Sequence, residues 1–497
     1  MTAIRSVKIE NFRCISDLHW FPSEGFNCLI GAGDCGKSTI LEAIDLCIGA
    51  HRNLQITDCD FHKLNLERAI RIAVVIGALP DELKNLDTYG LYHLGFNKDK
   101  KSLESEPGTG LETVLSIQLL IEKDLEPQWS LVSPRAAQQG QSRFLRWSDR
   151  LLLAPSRLGN TNETNLSWRR GSILNSLSAN STNFSKGLAD AVREIRHAFE
   201  QQENEQLNSV LSVVASTAKK LGLPAAEVPK ALLDSASISF TGGAISLHDR
   251  DRIPLRNLGL GSTRLLIAGL QRAAATEASI VLVDELEYGL EPHRIILLLG
   301  TLGAKDKSNP LQVFLTTHSP VAIRELSVDQ LFLVRSDSDG HKTIGVDTVD
   351  DIQGTVRLFP ESLLAQKIVV CEGASEIGLL RGLDQRRAEG GQVALTAFGA
   401  ALVDGGGETV IMRARALQKL GFNVAVLRDS DVLPTPELES DFVANGGKVF
   451  SWEDGRTLED QLFFSLSEKS VFELLSATIA SRDSDEVDSQ IRSASEG

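Results

Sequence analysis

Gly31-Ala32-Gly33-Asp34-Cys35-Gly36-Lys37-Ser38-Thr39 fits the pattern G-x-x-x-x-G-K-[ST] without a gap. Each residue type in it has a physical task on a nucleotide polyphosphate. The glycines let consecutive backbone N–H groups turn inward around the phosphates. Lys37 brings a cation to the terminal phosphates, the Ser38 hydroxyl can ligate magnesium, and Thr39 sits beside it at the helix start. The flanks agree. Phe26-Asn27-Cys28-Leu29-Ile30 reads as a short buried strand entering the loop. Residues Ser38 to Ile44 read as the helix leaving it, its N-terminal dipole aimed at the phosphates. A chance glycine-rich turn would need neither flank. The nucleotide implied is ATP with magnesium.

A second half of the same site lies far downstream. Ser279-Ile280-Val281-Leu282-Val283-Asp284-Glu285 is an apolar run ending in two carboxylates. Such a run fits a strand buried on both faces of a parallel sheet. Its C-terminal tip is where Asp284 can hold the magnesium of a P-loop site, and Glu285 is then placed to activate the attacking water. Acidic residues after a buried strand are common, so the pairing with the P-loop is what makes this motif informative.

Two further pieces refine the class. Leu258-Gly259-Leu260-Gly261-Ser262-Thr263-Arg264 is a glycine-serine turn opening a helix, and Thr316-Thr317-His318-Ser319-Pro320 follows another apolar strand, Gln312 to Leu315. In this order the pieces resemble the ATPase heads of the ABC class, in the branch that includes structural-maintenance-of-chromosomes and RecF-type proteins. Ile9-Glu10-Asn11-Phe12-Arg13 resembles the same branch. The resemblance implies that Gly261 and Ser262 clasp the γ-phosphate of ATP on another head, and that His318 is a switch histidine contacting it. It also implies that Glu287 to Arg294 cross a dimer interface, so self-association as a dimer or larger assembly is expected.

A chain of 497 residues is long enough for two or three domains. No apolar run approaches the roughly 18 residues that span a membrane, and no signal peptide is visible. Six cysteines at 14, 28, 35, 47, 59 and 371 show no C-x-x-C spacing, and one lies in the P-loop. They read as reduced thiols of a cytoplasmic protein. A net charge of −15 argues against wholesale coating of nucleic acid, but affinity depends on local phosphate contacts rather than on the total.

Residues 1–129 read as strands around the P-loop helix, with an exposed polar loop from Lys98 to Gly110. Residues 130–232 turn richer in Ser, Asn, Gln and Arg, and Phe184 to Leu221 shows helical spacing of apolar residues. This reads as a helical insertion, either a plain scaffold or a dimerisation or DNA-contacting arm. Its first part carries Arg135, Arg143, Arg146, Arg150, Arg157, Arg169 and Arg170; such runs are usually solvated faces. The ATPase resumes over 233–355. Residues 471–497 form an acidic and polar tail, and the stretch from Ser481 reads as disordered.

A separate α/β unit spans 362–470. Ala365 to Gly373 is a buried strand ending in Glu372-Gly373, and a helix follows from Ser375 through Leu383. Asn423 to Asp431 is another buried strand, ending in Asp429-Ser430-Asp431. Strand tips of one parallel sheet share its carboxyl edge. Three carboxylates brought together there cannot all stay ionised without a cation. Oxygen-only ligands favour magnesium, manganese or calcium. The alternative is two plain surface turns. The arrangement resembles a Toprim domain, with Gly405-Gly406-Gly407 as the glycine turn between its motifs. The resemblance implies a first metal site of Glu372, Asp429 and Asp431, and candidates Glu376, Asp404 and Glu459 for a second.

The combination resembles the OLD family of ATP-dependent endonucleases, which includes the nuclease subunit of Gabija-type anti-phage systems. The resemblance covers about residues 1–470. It implies an ABC/RecF-like head with a helical insertion and a C-terminal Toprim domain. It further implies DNA of phage or plasmid as substrate, and two divalent ions on the order of 4 Å apart flanking the scissile phosphate. A helicase-like or other defence partner would accompany it, and no membrane. The family places a basic residue near the end of this domain; the chain ends soon after Lys469 and offers no equivalent. Two rivals stand beside this reading: a RecF-type DNA-repair ATPase without nuclease activity, and an ATP-dependent sensor or scaffold subunit that regulates a partner effector.

Overall fold

The apolar runs of the sequence resolve into three sheets in a computed structural model, which describes residues 2–51, 54–158, 255–274, 279–307, 310–337, 340–349, 352–453, 455–481 and 484–494, with 190, 194, 247 and 250. In chain order the first strands are β1 (Ala3–Phe12), β2 (Ile15–Trp20), β3 (Phe26–Ile30), β4 (Ile70–Gly77), β5 (His93–Asn97), β6 (Ser102–Glu104), β7 (Glu112–Ile121), β8 (Pro127–Val132), β9 (Arg143–Phe144) and β10 (Ser156–Leu158). Then come β11 (Ser279–Val283), β12 (Leu311–Thr316), β13 (Leu331–Asp337) and β14 (Gly340–Gly345). The last four are β15 (Lys367–Cys371), β16 (Ala400–Asp404), β17 (Asn423–Arg428) and β18 (Lys448–Ser451).

The central sheet has the order β10-β11-β12-β3-β13-β14 and is parallel except for the β13–β14 hairpin. Every residue of β3 and β12 is buried, as strands covered on both faces require. An antiparallel sheet, β2-β1-β4-β7-β5-β6 with β8 and β9 added beyond β7, lies to one side. Helix α1 (Lys37–Ile48) runs between the two sheets. Its Ile40, Leu41, Ile44 and Ile48 meet Ile72, Val74 and Ile117 of the antiparallel sheet and Leu282 and Phe314 of the central one. Full burial of each such side chain contributes about 2 kcal/mol. A buried amide stitches the sheets together. Gln312 Oε1 accepts the Ile4 N–H at 2.7 Å, and its Nε2 donates to the carbonyls of Ile4 at 3.0 Å and Ser23 at 2.7 Å.

The third sheet, β16-β15-β17-β18, is parallel throughout. Its apolar core is continuous with that of the central sheet through Val346, Ile352, Val356 and Leu363. A cation–π contact reinforces the junction: Arg335 lies 4.5 Å from the centre of the Phe422 ring and donates to the Leu420 carbonyl at 3.0 Å.

The α/β class and the P-loop head are as the sequence implies. The division at residue 130 is not where the fold changes. β8 pairs with β7, and β10 pairs with β11 at the edge of the central sheet. Polar and basic composition masked these short strands. Their arginines are structural ties. Arg150 is buried against Trp129 at 3.8 Å, Arg157 pairs with Asp45 at 3.0 Å, and Arg135 donates to the carbonyls of Gly90 and His93. Arg169, Arg170 and, apart from 190 and 194, Phe184 to Leu221 lie outside the described residues. The C-terminal stretch also differs from the expected disorder. Residues Glu468–Ser481 and Ser484–Ala494 are helices, and Val487 is buried. Apolar residues at helical spacing, Val471, Leu474 and Leu475 and then Val487 and Ile491, account for this within an otherwise polar segment.

Candidate nucleotide and metal sites

β3 delivers the chain to Gly31, whose φ of 136° and closeness to the Val334 carbonyl (2.7 Å from any β-carbon) leave room only for glycine. Gly36, at φ 93°, turns the chain into α1. The Lys37 ammonium is folded onto the loop, donating to the carbonyls of Gly31 at 3.1 Å and Ala32 at 2.8 Å. Opposite it, the sheet presents Asp284 at the tip of β11. Asp284 Oδ1 accepts the Ser38 hydroxyl at 2.9 Å and the Thr316 hydroxyl at 2.6 Å. Thr316 in turn accepts the Glu285 N–H at 2.8 Å. Glu285 is exposed and held at φ 48°, a conformation that costs a non-glycine residue energy and persists where the surroundings enforce it. Residues 31 to 39, Asp284 and Glu285 are therefore one site, and its hydroxyl and carboxylate oxygens suit magnesium.

Gly261 and Ser262 open helix α2 (Leu260–Ala274). A β-carbon on Gly261 would sit 2.7 Å from the Gly289 carbonyl oxygen, so the turn is packed tightly on the loop after β11. Ser262 accepts from Arg294, and the backbone N–H of the exposed His318 donates to Glu287. Neither is hydrogen-bonded to the P-loop of its own chain among the described residues.

Two residues carry more than their sequence pattern suggested. Arg264 is fully buried and donates to the carbonyls of Tyr288 at 2.6 Å, Glu285 at 3.2 Å and Asp284 at 3.4 Å. It fixes the backbone of the turn from Asp284 to Tyr288. Glu287 clamps the following switch segment: one oxygen accepts the Thr317 hydroxyl at 2.6 Å, the other the His318 N–H at 2.7 Å. Their spacing from Asp284 was visible in the sequence, but the partners are set by tertiary folding.

The second site lies at the carboxyl edge of the third sheet. One oxygen each from Glu372, Asp429 and Asp431 lie within 4.8 Å of one another. The backbone enforces this. The glycine turn after β16 holds β15's end, Gly405 N–H donating to the Cys371 carbonyl at 2.6 Å and Gly407 N–H to that of Glu372 at 2.9 Å. Glu372 Oε2 accepts the Asp429 N–H at 2.7 Å. Asp429 Oδ1 accepts the Trp452 indole N–H at 2.9 Å and the Leu458 N–H at 3.1 Å, the latter at the start of the helix Leu458–Ser465. Each of the three carboxylates keeps its other oxygen without a hydrogen-bond partner among the described residues, as a cation site needs. Burial, then the nearby Glu376 and Glu372 carboxylates, push Asp429 up from 3.8 to about 6. Burial and like-charge repulsion both disfavour the ionised form here, and a bound cation would relieve the second.

Glu376, Asp404 and Glu459 fall outside that three-residue group. Glu376 is buried and accepts the Gly373 N–H at 2.8 Å, closing the N-terminus of the helix Ala374–Glu389. Asp404 accepts the Gly406 N–H at 2.7 Å beside Cys371. Glu459 lies in the first turn of the helix whose Leu458 N–H holds Asp429. Lys469 pairs loosely with Glu473 in solvent.

Residues 26–324 match the family model described as "AAA domain, putative AbiEii toxin, Type IV TA system". The chain is similar to a curated OLD nuclease of Thermus scotoductus, 24% identical over 472 residues, 87% of this chain and 83% of that one. Among solved structures it is similar to a Smc head domain with an extended coiled coil from Pyrococcus furiosus, bound to the C-terminal domain of ScpA. That match is 13% identical and covers 72% of this chain and 100% of that one, with a TM-score of 0.41. A RecF–ATP structure is 11% identical over 69% of this chain and 99% of its own, with a TM-score of 0.34.

Two outcomes follow from this geometry. Glu287→Ala releases Thr317 and His318 while leaving the P-loop intact. ATP affinity should change less than about threefold, while the hydrolysis rate falls at least roughly tenfold, or about 1.4 kcal/mol. A parental rate would show that the clamp is idle. For Asp429, the folded pKa lies above the ordinary value, so the metal-free fold gives up stability as pH rises from about 4 through about 6. Divalent-metal binding needs the deprotonated form, so manganese affinity, titrated by calorimetry, should weaken as pH falls through about 6. Equal affinity at pH 5 and pH 7.5 contradicts this.

Proposed function

The chain belongs to the AAA-domain family that this model describes, and on that premise we propose that it is an ATP-dependent, divalent-metal-dependent DNA endonuclease of the OLD type. The observation that carries the proposal is the convergence of Glu372, Asp429 and Asp431 beside a complete P-loop site. A head that only bound DNA would have no use for the cluster. The similarity to an OLD nuclease over most of both chains supports the same reading.

In this reading the residues divide the work as follows. Lys37 and the loop N–H groups bind the terminal phosphates of ATP, Ser38 and Asp284 hold its magnesium, and Glu285 positions and deprotonates the attacking water. Glu372, Asp429 and Asp431 hold the first cation of a Toprim-type centre; Glu376, Asp404 and Glu459 are the candidates for a second. Divalent cations bound there supply Lewis-acid stabilisation of charge on a phosphodiester. Trp452 and the Leu458 N–H keep Asp429 oriented. The glycine turn at 405–407 keeps Glu372 at the edge. We place the protein in the cytoplasm, acting on phage or other invading DNA. Its six free cysteines suit a reducing compartment, and among the described residues no helix is long and apolar enough to cross a membrane.

Gly261 and Ser262 pack on the loop after β11 and make no hydrogen bond to their own P-loop among the described residues, which supports pairing of two heads, each turn serving the other's ATP. The interface would be two-fold and self-complementary. Light scattering should report at least a dimer with ATP and the Glu285→Gln variant; monomer alone would exclude paired heads. Nicking of supercoiled plasmid tests the activity itself. Asp431→Ala should abolish magnesium-dependent nicking and leave ATP binding intact, because the sites sit on different sheets. The same variant should protect a host from phage no better than an empty strain. Nicking at the parental rate would make the Asp429–Asp431 turn a surface feature.

A further inference from the structure

The carboxylate cluster opens into a cavity of about 360 Å³. Glu372 and Asp431 line it. Much of the remaining lining is apolar: Met412, Val432 and Leu433 are 54%, 59% and 72% exposed, with Pro434 beside them and the exposed Glu408 the one further carboxylate in the lining. Large apolar side chains turned outward beside a cluster of carboxylates stabilise nothing within the fold. The wall also contains a buried cation. Arg428 is 6% exposed; it donates to the Asp429 carbonyl at 2.6 Å and pairs with Glu439 at 3.0 Å, while its Nε has no partner among the described residues. Past Met412 the surface continues into a second cavity, of about 450 Å³, that carries the exposed Lys419.

We propose that the 360 Å³ cavity is a nucleoside subsite, which takes the sugar and base next to the scissile phosphate out of the base stack. The inference rests on the nuclease reading above. With the phosphate at Glu372 and Asp431, the adjoining nucleoside falls against Met412, Val432 and Leu433. The volume is at the small end of ligand sites, roughly 300–1,000 Å³, the scale of one nucleoside. Apolar contact accepts the face of any base, so the subsite reads whether a base can leave the stack rather than which base it is. Beyond it, Lys419 meets the phosphates of the same strand. The substrate class assigned is DNA that is single-stranded, frayed or distorted at the cut.

The test is a cycle between the wall and the base. A duplex whose cut position has been mapped with the parental chain is prepared intact and with an abasic residue beside the cut. Leu433→Ala should raise KM on the intact duplex roughly tenfold with kcat little changed, and Met412→Ala should act in the same direction. On the abasic duplex, where no base can reach the wall, neither variant should raise KM above that of the parental chain. Both side chains are exposed, so truncation leaves the fold in place. An unchanged KM, or variant and abasic effects that multiply, overturns the subsite while the nuclease reading stands. A parental chain that cuts no DNA with magnesium or manganese overturns both.

Discussion

One carboxylate oxygen, Asp284 Oδ1, is where the nucleotide site is assembled. It accepts hydroxyls from Ser38, 246 residues earlier, and from Thr316, 32 residues later. A partly buried carboxylate is costly unless it is hydrogen-bonded, and these two bonds offset that cost by tying the P-loop helix to the tips of β11 and β12. The bond from the Glu285 N–H to the Thr316 hydroxyl oxygen then helps to hold that residue in its left-handed conformation. Arg264 and Glu287 brace the same turn from either side. The placement of Glu285 is thus a consequence of where β11 ends.

The second site uses the same device on a separate sheet. β15 and β17 run parallel and side by side, so their ends bring Glu372 and the Asp429–Asp431 pair to one edge. The two sites are not independent bodies. They share one apolar core, and β13 runs between them: its Val334 carbonyl faces Gly31, while Arg335 reaches Leu420 and Phe422. The nucleotide loop and the carboxylate domain therefore meet across a single strand.

Much of this was legible because it is local. A continuous apolar run ending in a carboxylate announces a buried parallel strand and the position of its tip together, which is why Asp284, Glu372 and Asp429 could be placed just past strand ends from the sequence. The P-loop glycines follow from backbone conformation in the same way. What stayed hidden is non-local or short. Nothing in Glu287 or Trp452 names Thr317, His318 or Asp429 as its partner. Strands β9 and β10, of two and three residues, are too short for any period to show. Arg135, Arg150 and Arg157 looked like a solvated face because nothing local names the carbonyls, ring and carboxylate that they serve. The closing helices were hidden by acidic and serine-rich composition, which outweighed an apolar spacing of few residues.

The central claim is that a cation held by Glu372, Asp429 and Asp431 touches the scissile phosphate. Sulfur substitution at that one phosphate tests it most directly, since sulfur binds magnesium poorly and manganese better. The account predicts that the phosphorothioate at the mapped cut slows cleavage in magnesium and that manganese restores it, with no such rescue at phosphates further along the strand. Equal cleavage of the oxygen and sulfur substrates in magnesium, for both phosphorothioate stereoisomers, would contradict it.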